Sequence, residues 1–213
     1  MSTRLLNRLW RHHLPLGLAS GICVWVLYVT RDYSDVLTRL SFATAYPALA
    51  LMAATLIIGP WRSLSGKSNV ISLDLRRDIG IWAGILGVLH AVAGQFVHLR
   101  GRPWLYYIYE QWNVMPVRYD MFGFSNYTGL IAALLLLALL ATSNDASLRK
   151  LGLKDWKGLQ RWNYLCFGLT ALHTFGYLLG IQAMKPGFIA TAAICVTAVA
   201  TLQYLGWRRR RAI

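Results

Sequence analysis

The sequence predicts an all-α fold, a polytopic membrane bundle of six transmembrane helices with both termini in the cytoplasm. Three observations predict it: six long apolar runs free of charge, basic residues gathered between those runs, and a composition too apolar for a soluble domain. Of 213 residues, 56% are hydrophobic and 14% charged, whereas a soluble surface needs charge over most of its area. A hydrocarbon layer about 30 Å thick is crossed by about 20 apolar helical residues. That criterion gives spans at about 14–30, 40–61, 79–98, 121–142, 162–183 and 188–207, none containing Lys, Arg, Asp or Glu.

The first span follows Arg4, Arg8 and Arg11. No small-x-small cleavage site comes after it, so it reads as a helix and not as a removable leader. Pro47 interrupts the second span, where neighbouring helices can satisfy the carbonyl a proline frees. The third and fifth spans each enclose one histidine, His90 and His173, and the fourth and sixth are Leu- and Ala-rich. The spans form a single domain over 1–213, with no internal repeat.

Orientation follows from charge. Sixteen of the 22 Lys and Arg residues fall on the segments of one side, including Arg149 to Arg161 and Arg208 to Arg211, and six fall on the other. The positive-inside rule puts the richer side, and with it both ends, in the cytoplasm. The net charge of +14 is thereby spent on topology and lipid headgroups, and no continuous basic face points to nucleic acid. On the far side the segment 99–120 holds Trp104, Tyr106, Tyr107, Tyr109, Trp112 and Tyr119, an aromatic set suited to the membrane interface and to a docking partner.

Several chemistries are absent from the sequence. Cys23, Cys166 and Cys195 form neither a CxxC pair nor a CxxCH haem-attachment motif. No GxGxxG or GxxxxGK[ST] follows a strand-like run, so a redox reaction here needs an external donor.

Two histidines lie at membrane depth. Each is the twelfth residue of an outward-running span, which puts both rings roughly 16 Å from the inner end at 1.5 Å per residue. An unpartnered imidazole in hydrocarbon costs on the order of 2–7 kcal/mol, so each must pair, face water or bind a ligand. Two imidazoles at one depth suit the axial positions of a six-coordinate haem, with the iron between them. Gly87 and Gly94 flank His90, and Gly176 follows His173 at i+3, positions that would let a macrocycle approach. The alternative keeps the histidines hydrogen-bonded in the core of a haem-free scaffold or transporter, with the stripe Gly80, Gly84, Gly87, Ala91, Gly94 serving helix contact.

The stretch Leu75-Arg76-Arg77-Asp78-Ile79-Gly80-Ile81-Trp82 leading to Leu89-His90, and Thr128-Gly129-Leu130 opening a Leu-rich helix closed by Ala141-Thr142-Ser143, resemble the ferric-reductase-like transmembrane family. So do Leu148-Arg149-Lys150-Leu151-Gly152, Trp156-Lys157-Gly158-Leu159-Gln160-Arg161-Trp162-Asn163-Tyr164-Leu165 and Leu172-His173. The resemblance covers roughly residues 41–203. Size and the missing nucleotide domain are closest to the small bacterial MsrQ/YedZ-type branch, haem-binding membrane subunits paired with a periplasmic methionine-sulfoxide reductase.

The resemblance implies a multi-pass protein of the bacterial inner membrane, with His90 and His173 as axial ligands of a b-type haem toward the outer face. It also implies electron flow from a cytoplasmic flavin or quinol donor to a periplasmic redox partner. Larger relatives carry a second histidine about 13 residues before each ligand; here those positions are Arg77 and Gln160, which implies one haem and not two. At the inner end Arg76, Arg77, Trp156 and Arg161 are candidates to hold FMN or a quinone, Arg through bidentate contacts and Trp through stacking, with a topology-anchor role as the alternative. His98, Arg100 and Arg102 read as interfacial residues, or alternatively as contacts for haem propionates. A direct ferric or small-acceptor reductase at the outer face is the rival function within this fold.

Overall fold

The structure is a computed structural model that describes residues 3–31, 33, 35–66, 73–99, 101–111, 116–181 and 186–211. Arg100, Trp112 and the outer end of the fifth expected span, 182–183, lie outside the described residues. Helix α1 (Thr3–Arg8) passes through one π-helical turn (Leu9–His13) into α2 (Leu14–Val29). Then come α3 (Val36–Ser65), α4 (Leu73–Gly94), a 3-10 turn at Pro103–Tyr106, α5 (Met121–Thr142), α6 (Asp145–Gln160), α7 (Asn163–Gly180) and α8 (Pro186–Arg211).

The helix starts are written in the sequence. Asp35, Asp120 and Asn144 are N-caps whose side chains accept the backbone N–H of Thr38, Gly123 and Ser147 at 2.9, 2.7 and 2.8 Å, satisfying donors that a first turn leaves open. At the other end of α3, Gly66 closes the helix in the left-handed conformation, φ 68°, which a side chain would oppose. Pro47 and Pro60 both sit inside α3.

Helix α3 is the hub, packed against α2, α4, α7 and α8, while α5 packs on α7 and α4. Leu49, Met52, Leu56, Leu136, Leu139, Cys166, Phe167 and Val199 form the buried centre. Outward faces are apolar too: Leu18, Ile22, Trp25 and Ile194 are each at least 59% exposed. Burying them needs an apolar solvent, so the chain is a multi-pass membrane protein. Among the described residues, four helical segments are long and apolar enough to cross a bilayer, Leu6–Val29, Val36–Ser65, Met121–Thr142 and Pro186–Arg211. The histidine-bearing helices α4 and α7 fall short of that threshold. Their apolar runs are diluted by Arg76, Arg77 and Asp78 in one and by Asn163, Thr170, His173 and Thr174 in the other.

One expectation changes. The third apolar run was read to His98, but α4 ends at Gly94: the Tyr106 hydroxyl donates to the Gly94 carbonyl at 3.0 Å and accepts the His98 N–H at 2.8 Å, turning the chain into the outer segment. That segment folds back on itself through a single antiparallel bridge between Ile108 and Val117. The basic stretch Arg149 to Arg161 is mostly the surface helix α6. It has no buried residue and is broken at Gly152, where φ is 72° and ψ 163°.

Candidate functional site

His90 on α4 and His173 on α7 come together with ring centroids 6.0 Å apart and planes at 69°. Each ring is half-buried, and each is held through Nδ1. His90 Nδ1–H donates to the Ser41 carbonyl of α3 at 2.8 Å, with the Ser41 hydroxyl 3.2 Å away. His173 Nδ1–H donates to the Ser125 carbonyl of α5 at 2.8 Å. A carbonyl only accepts, so the proton of each neutral imidazole sits on Nδ1 and the lone pair on Nε2. That is how a metal-ligating histidine is prepared.

The separation can be tested against a metal. Two metal–imidazole bonds of about 2 Å, plus about 1 Å from each nitrogen to its ring centre, place two axial imidazole centroids roughly 6 Å apart. The measured 6.0 Å agrees, and the 69° between planes is allowed because each ring turns about its own bond. Among the described residues no group of three or more His, Cys, Asp or Glu could hold a bare ion. A porphyrin brings four nitrogens of its own and needs only two from the protein, so a two-imidazole site fits haem and not a free metal.

The flanking glycines face protein. A Cβ at Gly87 would strike the Leu136 side chain, one at Gly176 would strike the Ser125 hydroxyl, and one at Gly94 would lie 3.5 Å from the Ser41 hydroxyl. They permit close helix approach, the helix-contact role that the glycine stripe allows. The glycine that bears on the histidine pair is Gly129, where a Cβ would lie 2.5 Å from His173 Nδ1. Its signal in the sequence was the Thr128-Gly129 pair opening a Leu-rich helix, with nothing there to show which side chain it faces.

Outward from the pair, Tyr177 packs on His173 with centroids 5.0 Å apart and donates to Asn126 Oδ1 at 2.9 Å. His98 stacks on Tyr177 at 5.8 Å and 22°. Arg102 pairs with Glu110 at 2.8 Å in the exposed outer segment.

At the start of α4 Arg76 Nε donates to the Thr55 carbonyl at 2.8 Å, and Asn163 donates to the Thr55 hydroxyl at 3.0 Å. Arg77 is buried and pairs with Asp145 at 2.6 Å, yet its Nε and Nη2 lack hydrogen-bond partners, as does Gln160 Nε2. Trp156 Nε1 donates to the Thr142 carbonyl at 2.9 Å, and Arg161 is exposed. The arginine pair therefore stands on α4 beside α3 and α6, and Trp156 lies against the end of α5.

One cluster escaped sequence reasoning. Asp78, fully buried, is bonded by Arg8 and by His12 Nδ1 at 2.8 Å, with His13 Nε2 3.3 Å away. The π-helical turn over residues 9–13 brings two consecutive histidines to one carboxylate. Burial alone would raise the Asp78 carboxyl, but hydrogen bonds from Arg8 and His12 and the charges of Arg8 and His13 outweigh it and hold the group below the usual carboxylate range. An acidic residue one position before an apolar run, with a basic segment free to fold onto it, was the available signal.

Known proteins bear on this arrangement. The family model described as ferric reductase like transmembrane component matches residues 44–171, a stretch that includes His90 and stops just before His173. The chain is 30% identical over 168 residues to the protein-methionine-sulfoxide reductase heme-binding subunit MsrQ of Pectobacterium atrosepticum, covering 78% of this chain and 77% of that protein. It is 28% identical over 144 residues to the proteins of the same name from Yersinia pseudotuberculosis and Yersinia pestis, covering 67% of this chain and 63% and 62% of theirs, so it spans less than two thirds of those two. No solved structure matches. With the family model over more than half of its length and such a relative over more than three quarters, the chain belongs to the ferric-reductase-like transmembrane family, in its MsrQ/YedZ-type branch.

Proposed function

We propose that this chain is a haem b-binding subunit of the bacterial inner membrane that carries electrons from a cytoplasmic flavin or quinol donor to a periplasmic redox partner, as in methionine-sulfoxide reductase systems. The observation that carries the reading is the imidazole pair, 6.0 Å apart with both Nδ1 atoms tied to helix carbonyls. Support also comes from the relatives, which are named as heme-binding subunits of a methionine-sulfoxide reductase. In this reading α4 and α7 complete a set of six spans, and the distribution of Lys and Arg supports cytoplasmic termini.

A bound haem b supplies reversible one-electron chemistry at its iron. The residues of this chain do the rest. His90 and His173 would both hold its iron through Nε2, and with both imidazoles engaged the chain would offer substrate no place at the metal, which favours electron relay over bond-making there. Leu136, which packs against Gly87 one turn from His90, and the buried core beyond it exclude water and lower the local dielectric. Arg76 and Arg77 at the inner end are the groups we assign to the donor.

The test is an absorption spectrum of the detergent-purified protein before and after dithionite. A six-coordinate b-type spectrum is expected, lost in His90→Ala and in His173→Ala. A colourless wild-type preparation, or full haem content in both variants, would remove the assignment. For the donor end, replacing Arg76 and Arg77 together with Gln should slow reduction by the physiological donor and leave dithionite reduction intact.

A further inference from the structure

We propose that Thr44 and Thr128 are positioning residues for the two haem ligands, each tilting the helix carbonyl that fixes one axial histidine. The proposal rests on the haem reading above.

A carbonyl inside an α-helix points along the axis toward the N–H four residues on. To accept from an imidazole on a neighbouring helix it has to lean outward. A Ser or Thr hydroxyl that bonds back to the carbonyl three or four residues earlier bends the helix and tilts such a group. The two carbonyls that the imidazoles use both carry this arrangement. Thr44 Oγ1 donates to the Ser41 carbonyl at 3.1 Å and to that of Leu40 at 2.7 Å. Thr128 Oγ1 donates to the Ser125 carbonyl at 2.9 Å and to that of Phe124 at 3.1 Å. Both threonines are buried.

The same serines meet the histidine helix a second time. The Ser41 hydroxyl lies opposite Gly94, one turn outward from His90, and the Ser125 hydroxyl lies opposite Gly176, one turn outward from His173. The device of serine carbonyl, threonine three residues later, imidazole and outward glycine thus occurs twice, once between α3 and α4 and once between α5 and α7. Back-bonding by itself is common here; Thr55, Thr142, Thr170 and Thr191 all do it. Thr44 and Thr128 differ because the carbonyl they bond is the one an imidazole also bonds.

The consequence is electronic as well as geometric. A strong Nδ1–H···O=C bond makes an axial imidazole more basic and stabilises the oxidised metal. Without the threonine hydroxyl the carbonyl returns toward the helix axis, the imidazole bond lengthens, and the ring is freer to turn.

The experiment uses purified holoprotein of Thr44→Val, Thr128→Val and the double variant. Its readouts are the haem midpoint potential by redox titration and the low-temperature EPR spectrum of the oxidised protein. Each single Val variant is expected to move the midpoint positive and change the EPR g-values, the double variant more so, and Thr44→Ser and Thr128→Ser to restore both. Thr142→Val, whose carbonyl partners face no histidine, is the control and should match wild type. Should a Val variant fail to accumulate, the Ala variant takes its place with the same readouts. Unchanged or more negative midpoints with unchanged EPR, in variants holding full haem, would overturn the inference while leaving the haem reading standing. A wild-type protein without haem would instead overturn the reading on which it rests.

Discussion

Gly129→Ala is a sharp probe of the ligand geometry. The new methyl would stand 2.5 Å from His173 Nδ1, 2.9 Å from Cε1 and 3.1 Å from Cγ, whereas unstrained non-bonded heavy atoms sit about 3.5–4.0 Å apart. The ring must therefore retreat by roughly 1 Å, which stretches its 2.8 Å bond to the Ser125 carbonyl beyond hydrogen-bonding range. Overpacking costs about 1–3 kcal/mol and the lost hydrogen bond about 0.5–1.5 kcal/mol, against about 1 kcal/mol gained from helix propensity. A net loss of about 1–3 kcal/mol falls on the histidine and not on the bundle as a whole. The assay is haem stoichiometry and the reduced-minus-oxidised spectrum of purified protein, with Gly168→Ala as control, since a Cβ there meets nothing within 4 Å. The expected result is reduced or altered haem binding in Gly129→Ala and none in the control. Wild-type haem content and spectrum in Gly129→Ala would refute the claim that His173 is pinned between Gly129 and Ser125.

Other outcomes follow from packing and charge. Because the folded-state pKa of Asp78 is depressed, its ion pairs stabilise the fold above the unfolded carboxylate value and lose that contribution as pH falls below about 4; the melting temperature of detergent-solubilised protein should drop there. Asp78→Ala should lower stability at neutral pH by about 1.5–3 kcal/mol, because it removes hydrogen bonds to a charged group and leaves Arg8 with the longer ion pair to Asp145 at 3.8 Å, and should flatten that acid dependence in the same melts. Gly206→Ala would put a Cβ 2.8 Å from Pro60 Cβ and should cost about 1–3 kcal/mol by parting α8 from α3, read as earlier thermal aggregation than wild type. For topology, single cysteines at Tyr119 and Arg210 in a Cys-free background should react with a membrane-impermeant maleimide from opposite sides of the membrane; labelling of both from one side would overturn cytoplasmic termini with an external 99–120 segment.

Much of this protein is decided locally and so can be read from its residues. Helix α5 runs from Met121 to Thr142, the bounds its apolar run and the Asp120 cap dictate, because capping and hydropathy act within a few positions of the chain. His90 and His173 stand out because each is a polar group within an apolar run, whatever the fold. Tertiary structure alone decided what each imidazole bonds to and how far apart the rings lie, since Ser41 and Ser125 are 49 and 48 residues from their histidines and hydropathy carries no information about facing partners. It also decided which atoms Gly87, Gly94 and Gly176 face and brought forward Gly129, because what a glycine's missing side chain would meet is set by packing and not by sequence. The Asp78 cluster was no more than hinted at by an acidic residue just before an apolar run: its partners come from Arg8, His12 and His13, brought to the carboxylate by a π-helical turn and the packing of the N-terminal helices, which no spacing along the chain encodes.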